Sequence, residues 1–246
     1  MNSRQIEILN IIARESKINV NELAKLFNVS QVTIRNDLRY LEKQGMLKRV
    51  HGGAVAVTDD NIANRLCLNY KVKKKIAREA SKLVRDGETV MIESGSTAAI
   101  LAKELANKKV TIITNSLFIA NYVKDISDIN VILLGGFMQK TSEVLVGPLV
   151  KASLTDIYVD KLFVGVDGFT KETGFTSLDL GRTEAVRYMR EKANRTIVIT
   201  DSSKFGIRGN VHLLDLEEVD TIITDSEIGQ EYVDYIKSNN VNLIMV

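Results

Sequence analysis

Apolar residues recur at helical spacing through the first forty positions and at strand spacing soon after, and that change of period predicts the first fold unit. Ile8, Leu9, Ile12 and Ala13 give a first helix its buried face. Asn19 with Glu22 reads as a capping box that opens a second helix through Leu23, Ala24 and Phe27. Ile34, Leu38 and Leu41 fall at i, i+4 and i+7, the stripe of a third helix, and Ser30 is placed to cap it. Gly45 is expected to end that helix. Residues 47–50 then alternate apolar with basic (Leu47, Lys48, Arg49, Val50), His51, Gly52 and Gly53 supply a turn, and 54–57 return as a strand.

Residues 58–70 are polar and irregular, as a linker would be, and 71–84 form a helical pattern with Val72, Ile76, Ala80 and Leu83 on one face. Lys71, Lys73, Lys74 and Lys75 crowd its first turns, the wrong end for the helix dipole. Either the helix starts later, or the charges meet an anion, or they form a solvated face. Strand-type runs follow at 89–92, 110–113, 131–134, 162–166, 196–199, 221–223 and 242–245, separated by helical stretches at 97–106, 118–124, 180–192 and 230–238. This α/β order predicts a doubly wound parallel sheet of about six strands, with its ligand crevice beyond the carboxyl ends of the strands. The expected organisation is a winged helix-turn-helix over 1–57, a linker over 58–70 and an α/β domain over 71–246.

Composition narrows the class. With 246 residues, 45% apolar and 26% charged, the chain suits one or two soluble globular domains. Net charge is only +2, yet residues 1–57 carry nine Lys and Arg against five Asp and Glu, leaving 24 against 26 for the rest. The positive charge belongs to the first domain. Cys67 is the only cysteine, so no intrachain disulfide can form, and without His or Cys at ligand spacing it reads as a small packed side chain. Neither a metal nor a cofactor is expected. No apolar run approaches the roughly 18 residues that span a bilayer, and the N-terminus lacks the apolar core of a signal peptide. A cytoplasmic protein with no membrane partner is the default expectation.

The candidate chemistry lies in two places. Opposite its apolar stripe, the third helix presents Gln31, Val32, Thr33, Arg35, Asn36, Arg39, Tyr40 and Lys43. Gln31, Thr33 and Asn36 stand where a recognition helix reads base edges, while Arg35, Arg39 and Lys43 form a cationic ridge extended by Arg49 and His51 of the hairpin. Asp37 lies nearer the core edge and is expected to orient Arg35 or the backbone. An ordinary three-helix domain with a solvated charged face is the alternative; caps, turn spacing, ridge and basic hairpin agree on duplex DNA instead.

The second place is the set of strand ends. Glu93, Ser94, Gly95, Ser96 and Thr97 give a compact loop of donors opening a helix, where the dipole favours a phosphate. Thr114, Asn115 and Ser116, then Gly135 and Gly136, then Gly165, Asp167 and Gly168, and finally Thr200–Gly206 with Lys204 occupy the other ends. Small residues also make tight turns, Asp167 could serve an Asx-turn, and Lys204 could be a surface lysine. Glu184, on a later helix, could face the pocket or solvent. Phe175 and Phe205 read as core.

On these motifs, the chain resembles the DeoR family of bacterial transcriptional repressors over essentially its whole length. Arg4, Ile8, Ile12, Ser30, Thr33, Ile34, Arg35, Asn36, Asp37 and Leu38 stand at the spacings of that family's helix-turn-helix signature, and RVHGG (49–53) resembles its wing. The resemblance implies a DNA-binding motif over about residues 20–39. It also implies a C-terminal sensor domain related to ribose-phosphate isomerases that recognises a phosphorylated sugar or polyol. By position, ESGST becomes the phosphate loop, TNS and GVDG line the pocket, and Lys204 closes it. The isomerases' lysine-bearing stretch before a helical glutamate corresponds to about GFTSLDLGRTE, which has no lysine. Glu184 matches the glutamate, and one carboxylate without its partner is a poor proton-transfer site. Binding without turnover by a homo-oligomer, dimer or tetramer, on an operator is therefore the reading. Its runner-up is a sugar-phosphate isomerase carrying a DNA-binding attachment. A dinucleotide-binding redox sensor is disfavoured, because no G-x-G-x-x-G follows a predicted strand.

Overall fold

The computed structural model describes residues 2–15, 17–43, 46–55 and 62–246. The chain divides into two compact units, Met1–Tyr70 and Lys71–Val246.

The first unit runs α1 (Ser3–Glu15), β1 (Lys17–Asn19), α2 (Val20–Leu26), α3 (Gln31–Lys43), β2 (Lys48–Val50), β3 (Gly53–Val55) and α4 (Ile62–Cys67). Ile8, Leu9, Ile12, Leu23, Ile34, Leu38 and Leu41 are buried together, so each helix keeps the face that its spacing predicts. Asn19 caps α2 through the full reciprocal capping box with Glu22. The hairpin β2–β3 is antiparallel, and β1 adds a third strand against β3. Gly53 is needed where β3 meets β1: a Cβ there would stand 2.1 Å from the Ile18 carbonyl oxygen. Gly52, at φ +77, turns the hairpin in a conformation that side chains rarely adopt. Gly45 and the expected strand residues 56 and 57 lie outside the described residues, as do 58–61 of the linker. Beyond them the expected linker is not irregular: α4 is helical and packs on α1, its buried Ile62 and Leu66 lying four residues apart.

The second unit begins with α5 (Tyr70–Lys82), followed by β4 (Thr89–Ile92), α6 (Ser96–Glu104), β5 (Val110–Thr114), α7 (Leu117–Val123) and β6 (Ile129–Leu133). Next come the hairpin β7 (Phe137–Gln139) and β8 (Val144–Val146), α8 (Pro148–Ser153), β9 (Val159–Val164), β10 (Gly168–Thr170) and β11 (Gly174–Ser177). The unit closes with α9 (Leu180–Arg190), β12 (Ala193–Ile199), β13 (Val211–Leu214), β14 (Thr221–Thr224), α10 (Gln230–Ser238) and β15 (Asn242–Met245). The helix of the lysine run starts at Tyr70 rather than later, and its buried face is Lys73, Ile76, Ala77 and Ala80.

The main sheet has seven strands, one more than expected, in the order β15-β14-β12-β9-β4-β5-β6, and every pairing is parallel. Its central strands end in apolar runs, Leu162–Val164 on β9 and Ile197–Ile199 on β12, that are buried between the covering helices. Leu162, Val164, Val198 and Ile222 pack with Val186 and Met189 of α9 and with Val233 and Ile236 of α10. A second, antiparallel sheet, β10-β11-β13, carries Phe169 and Phe175, whose ring centroids are 4.6 Å apart. Phe175 is wholly buried, and Phe205 packs against the same cluster. Among the described residues no helix is long and apolar enough to cross a membrane, and no group of three or more His, Cys, Asp and Glu could hold a metal ion.

Candidate nucleic-acid interface and effector crevice

The start of α3 is fixed by Ser30, whose Oγ accepts from the Thr33 N–H at 3.1 Å. Ile34, Leu38 and Leu41 turn inward, which leaves Gln31, Val32, Arg35, Asn36, Arg39 and Tyr40 exposed and Thr33 half-buried. Two neutral partners order the ridge. Arg35 donates to Gln31 Oε1 at 3.2 Å, and Arg39 donates to Asn36 Oδ1 at 3.0 Å. Neither guanidinium has a carboxylate partner among the described residues, so both are open to an external anion. Arg49 differs, since its guanidinium lies 3.5 Å from Glu42 and its backbone N–H donates to the same carboxylate at 2.9 Å. His51 is exposed at the turn. The Lys43 side chain lies outside the described residues.

Asp37 does not orient Arg35 or the backbone. It is 5% exposed and accepts from Arg4 Nε at 2.6 Å and Gln5 Nε2 at 2.9 Å, both on α1. It lies beside the apolar stripe, one residue before Leu38, so the neighbour within reach is the packed helix. The ion pair raises the Arg4 pKa above its ordinary value, chiefly through the hydrogen bond.

In the second unit the strand order reverses between β4 and β9, and in open α/β sheets that is where a crevice forms at the carboxyl ends. The loops after these strands touch: a Cβ on Gly95 would meet the Gly165 Cα at 3.4 Å, and the reverse holds. Glu93 ties them together. Its buried carboxylate accepts from the Ser94 hydroxyl, from Gly95 N–H at 3.0 Å and from Gly165 N–H at 3.3 Å. Glu93 and Ser94 thus brace the loop. The donors left are those of α6, whose N-cap, Gly95, has no side chain to satisfy them. The Ala99 N–H closes the first turn onto the Gly95 carbonyl at 2.9 Å, so the N–H groups of Ser96, Thr97 and Ala98 have no intrahelical acceptor. All three residues are buried.

The remaining strand ends divide into lining and packing. Asn115 is fully buried; its Nδ2 donates to the Leu145 carbonyl at 3.1 Å, while its Oδ1 has no partner. The Ser116 hydroxyl caps α7, accepting from Ile119 N–H at 3.2 Å. Gly135 donates to Ser153 Oγ, and a Cβ on Gly136 would meet the Val146 carbonyl oxygen at 2.9 Å, so this pair serves the packing of α8 and the β7–β8 hairpin. Asp167 accepts from Leu178 N–H at 3.0 Å and Ser177 Oγ at 3.3 Å. Gly168 lets Ile207 approach, since a Cβ would stand 2.3 Å from that carbonyl oxygen. Lys204 sits on a 3-10 turn after β12, half-buried, and forms no ion pair among the described residues. Glu184 stands on the exposed face of α9 and accepts from the Tyr188 hydroxyl at 2.9 Å, which raises the Tyr188 pKa.

Several residues that sequence reasoning passed over hold this end together. Asp225 accepts from Ser202 N–H at 2.7 Å and Glu227 N–H at 3.1 Å, pinning the turn that carries Lys204. Thr224, beside it, keeps a buried hydroxyl with no partner. The signal was present as a repeated Thr-Asp-Ser at 200–202 and 224–226, each at a strand end. Gln139 of the hairpin donates to both oxygens of Asp179, at 2.9 and 3.1 Å, and Asp179 caps α9 through Arg182 N–H at 2.7 Å. Burial pushes the Asp179 carboxyl up, but the Gln139 hydrogen bond and the Arg182 backbone and charge outweigh it and hold the carboxyl below its ordinary value. At the hairpin turn, burial raises the Glu143 carboxyl. A cavity of about 550 Å³ lies elsewhere, at the amino ends of the strands.

Comparison with known proteins places both units. Residues 4–60 match the family model described as the DeoR-like helix-turn-helix domain, and 68–226 match the DeoR C terminal sensor domain. The chain is 37% identical over 232 residues to the HTH-type transcriptional regulator GolR of Listeria innocua serovar 6a, covering 92% of this chain and 91% of that one. It is 32% identical over 252 residues to the putative aga operon transcriptional repressor of Escherichia coli O157:H7, covering 99% and 93%. Among solved structures, ribose 5-phosphate isomerase A of Methanocaldococcus jannaschii aligns over 56% of this chain and 55% of its own, with 26% identity and a TM-score of 0.42.

Proposed function

The chain belongs to the DeoR family of DNA-binding transcriptional regulators, and from that premise we propose that a phosphorylated sugar or polyol controls it by binding beyond the carboxyl ends of β4, β5, β9 and β12. The observation that carries this reading is the uncapped, buried start of α6, on the same sheet end as the half-buried Lys204, which has no ion pair among the described residues. Free N–H groups and the helix dipole favour a phosphate there, and an ammonium can neutralise it. Gly95, Ser96, Thr97 and Lys204 form the phosphate seat, while Asn115 and Asp167 face the sugar hydroxyls. Glu93, Ser116, Gly135, Gly136 and Gly168 shape the site rather than touch the ligand. The carboxylates support binding without turnover: Glu93 is filled by three donors, and Glu184 stands on the exposed face of α9.

On the DNA side, Gln31, Thr33 and Asn36 read base edges, and Arg35, Arg39, Lys43, Arg49 and His51 position the protein on the duplex. Sensor units of a homo-oligomer hold paired winged helices over two operator half-sites, and the effector changes their relative pose by binding the two poses unequally. The proposed output is repression of carbohydrate-metabolism genes.

A thermal-shift screen against hexose, pentose and polyol phosphates tests this reading. An effector at 100 times its dissociation constant should add about 2.7 kcal/mol to the folded state. Ser96→Asp, which puts a negative charge at the head of α6, should abolish the shift. A shift that survives the substitution moves the site elsewhere, and turnover of the phosphate ester or sugar would overturn the binding-only reading.

A further inference from the structure

The cavity at the opposite end of the sheet is independent of that crevice. It lies across the amino ends of β4, β9, β12, β14 and β15, lined by Glu88, Lys161, Arg195, Thr221 and Asn242 in that strand order and rimmed by Lys82, the last residue of α5, and by Arg85. Five neighbouring strands span about 19 Å at the usual spacing, so a volume of about 550 Å³ describes a trough rather than a round hole.

Its charges are unevenly committed. Lys161 donates to both oxygens of Glu88 at 2.7 Å, and this shielded pair cancels internally as a floor between β9 and β4. Asp160 receives the Asn194 amide, and Asn242 donates to the Thr221 hydroxyl. Lys82 is paired with Glu79, outside the trough. Arg85 follows the C-terminus of α5, where a cation could serve the last carbonyls, but Lys108 already holds those of Ser81 and Val84. The guanidinium groups of Arg85 and Arg195 have no hydrogen bond or ion pair among the described residues, although the Arg85 charge acts on Glu88, which also accepts the Arg85 backbone N–H at 3.0 Å. One stands before β4 and the other on β12, two strands away, so their origins are on the order of 10 Å apart. Arginine matches phosphate and carboxylate geometry with a fork of donors, and a concave wall focuses its field.

We propose that this trough is a second ligand site, taking an elongated small molecule with anionic groups at both ends, phosphate or carboxylate, one for each of Arg85 and Arg195. Calorimetric titration of the full-length Ser96→Asp protein, in which the carboxyl-end crevice is closed to anions, isolates the trough. 1,6-Hexanediol bisphosphate and adipate are the probes, each with an anionic group at either end of a six-carbon span, and whichever of them binds saturably names the anionic group. Arg85→Ala and Arg195→Ala should each weaken that binding at least tenfold, and Arg195→Lys should weaken it less. Lys237→Ala, which removes an exposed charge outside the trough, should leave it unchanged. The proposal fails if neither probe binds the Ser96→Asp protein saturably, or if binding is indifferent to both arginines or falls equally with Lys237→Ala. Arg85, Arg195 and Lys237 are exposed, so loss of fold in their variants does not imitate the expected result, and a melting curve of the Ser96→Asp protein, whose altered residue is buried, verifies its fold. A sugar phosphate that binds the unaltered protein and is lost on Ser96→Asp reports on the other site alone, so the two readings succeed or fail separately.

Discussion

Asp37 is a nearly buried carboxylate whose two oxygens each take one donor from α1, Arg4 and Gln5. It joins the helix that presents Gln31 to Arg39 to the helix beneath it, so it holds the pose of α3. Replacing it by alanine leaves two donors unsatisfied beside the core, at a cost of about 1–3 kcal/mol. Arg4→Ala costs less, because the Arg4 side chain is 29% exposed and the stranded Asp37 keeps Gln5. Amide hydrogen exchange checks this without an operator. In Asp37→Ala, peptides from α1 and α3 should exchange roughly 5- to 150-fold faster, the equivalent of that energy, while β4 should not change. Equal acceleration in both units would mean that Asp37 does not act locally. The sequence made the face of Asp37 legible, because helical angle depends only on neighbours; its partners were not, because they come from 32 and 33 residues upstream.

The same contrast holds for whole elements. Parallel strands announce themselves as apolar runs, and all seven were legible, two of them (β4 and β15) to the residue and the rest with ends within three residues. The strands of the β7–β8 hairpin and of the β10-β11-β13 sheet stand outside the strand–helix alternation that marks the others, and Phe137 is 76% exposed, so the pattern does not single them out. Yet the hairpin controls the head of α9, through Gln139 and the capping carboxylate of Asp179. Asp179 has a folded pKa below its ordinary 3.8. Its stabilisation is therefore fully present above that value and is lost as pH falls through the folded pKa. Gln139→Leu removes the largest of the effects that lower it. The variant should melt below the unaltered protein at pH 7, by an amount on the scale of a helix cap, about 1 kcal/mol. The gap should close as pH drops below 3.8, because the protonated carboxyl no longer favours the amide as strongly. A gap that is constant across this window would assign the effect of Gln139 to packing instead of to the Asp179 charge.

At the scale of the molecule, charge is divided between the units: the first carries an excess of cations and the second a slight excess of acids. Duplex DNA is thus attracted by a few placed side chains, and the counterions they release set the salt dependence. These side chains differ in what they must give up. Arg39 leaves only a neutral Asn36 amide, whereas Arg49 must release Glu42, which then stands near the phosphate as a free negative charge. Binding of a random-sequence duplex, followed by fluorescence anisotropy from low to moderate salt, separates the two without knowledge of the operator. Arg39→Ala should lower the slope of log affinity against log salt by about 1, and Arg49→Ala should lower it by less. Glu42→Gln, which frees Arg49, should tighten binding and restore to Arg49 the larger share. An unchanged slope for Arg39→Ala would remove Arg39 from the backbone contacts, and the ridge on α3 would then have to act through bases alone.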